Sequence, residues 1–242
     1  MYEDGPLDPF GAVAALTGVG AAAAHARDAL DAMLRHPSVR RDVRRLAAES
    51  VLRGARASAV LAGGDPDDVR DPILQGSLRA TGEVAALAAT WERAPGQALA
   101  RIHVLAARDL APAESLGRPR PGADAGRLEQ LLRLAGARSG APGVVVAALV
   151  HGELKSLDPF GSAGGLVARA TERLVLVARG VDASAVGVPE VGHLDLGRAY
   201  EPLVAAYATG GADGVAAWVR HCCEAYARGA EAALAHANGA PG

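Results

Sequence analysis

The chain has 242 residues, half of them hydrophobic, enough for a sizeable core in one large or two small domains. Its 25 basic and 27 acidic residues leave a formal net charge of -2, so no global field favours nucleic acid or an anionic membrane. The two cysteines, Cys222 and Cys223, are adjacent, which argues against a relaxed disulfide between them and for a reducing, cytoplasmic setting.

Helical periodicity dominates the chain, and the expected fold class is all-α. The uncharged stretch from Pro9 to Ala24 follows an acidic segment and lacks the basic start and Leu-rich core of a secretory signal, so it reads as a docked helix. Asp8 and Pro9 are a cap and first-turn pair for a helix or broken pair reaching Leu34. Ser38 is the expected cap of a second helix to about Ala62, and Asp71-Pro72 opens a third to about Trp91. A fourth covers about Gln97 to Leu110. The Pro- and Gly-rich run from Ala111 to Gly126 is the clearest loop of the chain. Helices over 127–137, 142–157 and 166–179 follow, then about 196–209 and 212–237. Val144-Val145-Val146 is β-prone, but its apolar run continues too far for an ordinary strand. No alternating strand pattern and no repeat of 20–50 residues is present. The division expected is an N-terminal helical segment, 1–36, followed by one domain, 37–242.

The stretch Asp158-Pro159-Phe160-Gly161-Ser162-Ala163-Gly164-Gly165-Leu166-Val167-Ala168-Arg169 resembles the signature loop of the Fic (Fido) family. That loop reads His-Pro-Phe, any residue, Asp or Glu, Gly-Asn-Gly-Arg, two residues, Arg, and lies between two helices. Ser58 to Gly63 resembles the family's inhibitory helix, Ile102-His103-Val104-Leu105 its Leu-His helix, and Gly117-Arg118-Pro119-Arg120 its Gly-x-x-Arg flap. Order and spacing agree over residues 40 to 235.

The resemblance implies transfer of a nucleotide monophosphate onto a protein hydroxyl. That chemistry needs a base near neutrality, a carboxylate for Mg²⁺, backbone N–H groups at a helix start for phosphate, and arginines for the remaining charge. Here Asp158 stands at the histidine position, Ser162 at the metal carboxylate, Ala163 and Gly164 at Gly-Asn, and Leu166 at the first arginine. Pro159, Phe160, Gly165 and Arg169 are retained. A carboxylate about 5 Å from a phosphate charge costs on the order of 3 kcal/mol at an effective dielectric of 20. Ala62 replaces the inhibitory glutamate next to Gly63, so Arg169 lacks its family partner and Asp158 is the substitute considered.

The resemblance therefore implies a degenerate member without cofactor or metal, acting as a binding or regulatory module. Its expected recognition residues are Pro159, Phe160, Ser162, Gly164, Gly165 and Arg169, facing a flap of Gly117, Arg118 and Arg120. A protein partner is expected, with a small anion at the 158–169 loop and a homodimer as further arrangements, and neither nucleic acid nor membrane. The alternative is a related transferase in which Asp158 takes the place of the histidine.

Other features have simpler readings. Leu-Asp-Pro-Phe-Gly occurs at Leu7 to Gly11 and at Leu157 to Gly161, and both copies read as helix entries. Arg40, Arg41, Arg44 and Arg45 read as a solvated face, without the interleaved aromatics of a nucleic-acid site. His103 and His151 read as core or supporting helix residues without metal-like spacing, Trp218 and Tyr226 as packing residues, and Ser162 as lacking a catalytic base.

Overall fold

The computed structural model describes residues 8–137 and 139–239. They are all-helical, with no strand among the described residues. Capping follows directly from the sequence. Asp8 accepts a hydrogen bond from the Gly11 N–H and starts α1 (Pro9–Ala14), and Asp71 accepts from Ile73 and Leu74 ahead of Pro72 in α5 (Pro72–Gly82). Asp124 accepts from Arg127 and starts α8 (Ala125–Gly136). Leu7, the first residue of the N-terminal Leu-Asp-Pro-Phe-Gly copy, lies outside the described residues.

The expected long segments are broken at specific residues. The N-terminal helix divides into α1 and α2 (Val19–Arg35) at Gly18, whose φ is 77°. The next segment is α3 (Pro37–Arg41) and α4 (Val43–Leu61), with the break at Asp42. His36, not Ser38, caps α3, its ring Nδ1 accepting from the Ser38 N–H. The third splits at Glu83 into α5 and α6 (Val84–Arg93), and the fourth is α7 (Pro95–Ala107). One helix was not expected, α11 (Pro189–Leu196), started by Pro189 between glycines. It precedes α12 (Tyr200–Ala208) and α13 (Ala212–Ala237).

The centre of the molecule is the hairpin of α9 (Gly143–Leu157) and α10 (Gly164–Ala178). Every residue from Val144 to Gly152 is buried, as is every residue from Leu166 to Val177. A helix buried all round needs neighbours on all sides, and α10 has them in α4, α5, α6, α7 and α9. This burial also explains why the valines at 144–146 are helical: packing outweighs their modest β preference. On the far side α13 packs against α2, α11, α12 and α9. Phe10, Leu30 and Met33 share one apolar cluster with Val146, Leu174 and Val219, so the N-terminal helices are built onto the same core.

Candidate functional site

The loop between α9 and α10 is a tight, strained connection. Asp158 ends α9 with φ 40°, donating its N–H to the Leu154 carbonyl. Ala163 precedes α10 with φ 54°, and Gly161 has φ 68°. The left-handed region costs a non-glycine residue about 1 kcal/mol or more, so Ala163 holds a conformation that glycine adopts freely. Asp158 is therefore the end of one helix and not, as expected from its Leu-Asp-Pro-Phe-Gly setting, the entry of another. The N-terminal copy does start a helix. There Asp8 also accepts hydrogen bonds from Ser139 Oγ and the Gly140 N–H, and Phe10 is buried.

The flap is latched to this loop. The Arg120 N–H donates to the Pro159 carbonyl at 2.8 Å, and its Nε donates to the Asp158 carbonyl at 2.9 Å. His103 on α7 bridges the two segments. Its Nδ1 accepts from the Gly117 N–H at 2.9 Å, its Nε2 is 3.1 Å from Ser162 Oγ, and its ring stacks on Phe160 with centroids 4.0 Å apart. Arg118 is exposed.

Ser162 thus has a histidine neighbour after all, but the chemistry is wrong for a nucleophile. Because Nδ1 accepts from a backbone N–H, the neutral ring carries its proton on Nε2 and donates to the serine. A base must accept there. Burial lowers the His103 pKa, with the Asp158 charge opposing, which favours this neutral form.

Arg169 turns inward. It is 1% exposed and donates to Ser58 Oγ and to the Ser58 carbonyl, each at 2.8 Å, and to Tyr200 Oη at 3.3 Å. Its partners are therefore Ser58 and Tyr200 rather than Asp158. The Asp158 carboxylate instead lies against Gly164, where an added Cβ would meet Oδ1 at 2.6 Å. With flap and loop in direct contact, the open space lies on the other side. A cleft of about 560 Å³ is lined by Ala62, Ile73, Leu110, Lys155 and the loop from Gly161 to Leu166. Gly164 and Gly165 open α10 at its floor without a side-chain cap. Ala62 and Gly63 are exposed at its rim, and Lys155 is held by Glu201 at 2.9 Å.

Behind the loop lies a second polar assembly. His151 on α9, Glu172 on α10, His193 on α11 and Cys222 on α13 are fully buried, and each offers a donor atom within 4.8 Å of the others. Glu172 accepts from His193 Nε2 at 3.0 Å and from Tyr226 Oη at 2.7 Å. His151 Nδ1 lies 2.8 Å from Glu172 Oε1, a close contact in which this buried nitrogen makes no well-formed hydrogen bond among the described residues. The outer atoms are held in turn: His151 Nε2 by Tyr200 Oη at 2.7 Å, His193 Nδ1 by His221 Nε2 at 3.2 Å. Trp218 packs edge-on against His151 and donates to the Ala148 carbonyl.

Burial sets the ionisation here. Desolvation pushes His151 down to about 4 against the pull of Glu172. Desolvation, then the neighbouring His193 and His151, push His221 down to about 3. Burial alone would raise the Glu172 carboxyl, but the two imidazoles beside it outweigh that and hold it low. The Cys222 thiol is driven up by burial and by the Glu172 charge.

Sequence reasoning placed His151 in a supporting role and missed its partners. They come from four helices, and no short-range spacing joins residues 151, 172, 193 and 222. The one local signal is α13, where Trp218, Cys222 and Tyr226 share a face at i, i+4 steps.

No protein-family model matches the chain, and no curated protein matches it. No helix of the described residues is long and apolar enough to cross a membrane.

Proposed function

We propose that this chain is a degenerate Fic-like domain that has lost nucleotidyl transfer and serves as a binding or regulatory module. The observation that carries the reading is the placement of Arg169. The one arginine left in the loop spends its donors on Ser58 and Tyr200 inside the core, so no guanidinium of the loop faces the cleft. The Asp158 carboxylate sits against the first residue of α10, where it would repel a phosphate at the helix start. The left-handed φ at Ala163 adds support, since the resembling loop has glycine at that position. Ser58, one turn before Ala62, takes the arginine that a glutamate holds in the family.

The recognition surface in this reading is the cleft between the loop and the end of α4. Its ligand is a protein segment, received by the small and apolar side chains of Ala62, Ile73, Leu110 and Leu166 that line the cleft. Calorimetry with ATP and Mg²⁺ tests the loss of transfer: the expected result is no saturable heat and no label carried onto protein hydroxyls. Saturable ATP binding with label transfer abolished by Asp158→Ala would establish the transferase instead. Ala62→Arg, at an exposed rim position, is expected to block partner capture without altering stability.

A further inference from the structure

The buried His151, Glu172, His193 and Cys222 lie outside the loop and have no part in the binding role. We propose that these four side chains form a closed tetrahedral site for Zn²⁺ that fastens α9, α10, α11 and α13 together.

Three observations carry this. The donor atoms converge from four helices to within 4.8 Å of one another, at positions fully shielded from water. Two nitrogens, one oxygen and one sulfur suit zinc, which takes mixed N, O and S donors with bonds of about 2.0–2.3 Å. His151 Nδ1 is a fully buried nitrogen among the converging donor atoms, in close contact with Glu172 Oε1 at 2.8 Å but without a well-formed hydrogen bond.

The ring of outer contacts adds to these. Tyr200 holds the far nitrogen of His151, His221 holds the far nitrogen of His193, and Tyr226 holds Glu172. Metal-bound histidines and carboxylates are oriented in this way by partners on their remaining atoms. Charge is also consistent: Zn²⁺ with one carboxylate and one thiolate is neutral, which limits the cost of burying it. Binding converts the Cys222 S–H to a zinc thiolate, releasing its proton to solvent, and moves the His193 proton from Nε2 to Nδ1, where it donates to His221 Nε2. Four protein donors leave no open position, so the site is structural rather than catalytic. Because the donors are enclosed, zinc enters as the chain folds.

The test uses the full chain, expressed with zinc and purified without chelator. Elemental analysis is expected to give about one zinc per chain, as a four-ligand site requires. The protein is then unfolded with chelator and refolded with Co²⁺. A thiolate-to-cobalt charge-transfer band is expected in the wild type and in Cys223→Ser, and is expected to vanish in Cys222→Ser. Refolding with Zn²⁺ is expected to raise Tm over refolding with chelator, a readout that needs no variant to fold. Metal-free protein whose spectrum and Tm ignore both ions overturns the proposal, and so does zinc that persists undiminished in Cys222→Ser.

Discussion

His103 shows how one side chain can hold two segments. It fills a gap behind Phe160, satisfies the Gly117 N–H and binds Ser162 Oγ. Truncation removes the stacking and leaves a part-buried backbone donor without its partner. His103→Ala is expected to lower stability by about 2–3 kcal/mol and to speed amide exchange at Gly117 and Arg120, because the loop then loses one of its two latches. The Arg120 contacts to Asp158 and Pro159 remain as the other. Urea denaturation and hydrogen exchange together check this; unchanged exchange at the flap would show that Arg120 alone sets its position. Sequence reading placed Gly117 and Arg120 in one motif and His103 in another. Their convergence on Pro159 and Ser162 is a tertiary fact, decided by how α7 crosses the α9–α10 hairpin.

Helices approach closely where glycine removes the side chain between them. Gly192 on α11 faces the Ala225 carbonyl on α13, and an added Cβ there would overlap it. Gly229 faces the Val188 carbonyl at the same crossing. Gly192→Ala is expected to cost about 1–3 kcal/mol or more, since overpacking forces the backbones apart. Gly20 in α2 is the contrast. The nearest atom to an added Cβ is a carbonyl oxygen at 3.8 Å, an ordinary contact, so Gly20→Ala is expected to add about 0.5–1 kcal/mol through the unfolded chain. Denaturation of both variants checks the pair, and equal effects would defeat the argument from close packing. At this scale most of the fold was legible. The caps Asp8 and Asp71 gave helix positions from local chemistry, whereas the Asp124 cap of α8 lay inside the expected 111–126 loop. The unexpected α11 is an eight-residue helix, its sequence Pro-Glu-Val-Gly-His-Leu-Asp-Leu giving little amphipathic pattern. Its position is fixed by contact with α13 and α4 instead. His193 was missed together with that helix.

The largest consequence of the enclosed histidines is a dependence of the whole fold on pH. His221 is held neutral in the native state, its value pushed down to about 3 by desolvation and by His193 and His151. In the unfolded chain it titrates near the ordinary imidazole value of about 6.5. Below that value the unfolded state binds a proton that the native state refuses. Each pH unit of descent then removes on the order of 1.4 kcal/mol of stability per such group, until the native value is reached. His151 behaves alike down to about 4, and His103 carries a shift of the same sign. The Glu172 carboxyl, held low in the native state, adds its own loss below the ordinary carboxylate range. All four contributions are complete above about pH 6.5 and decline together toward acid. Stability of the metal-free protein, measured by urea titration in the presence of chelator, is therefore expected to fall by a few kcal/mol between pH 7.5 and pH 5. His221→Phe removes one of the titrating rings from its place between His193 and Trp218, so its profile should be shallower by roughly the share of one group. A metal-free wild-type profile that is flat across this interval would mean that water reaches these rings in the native state, and that the cluster is not the sealed centre described above.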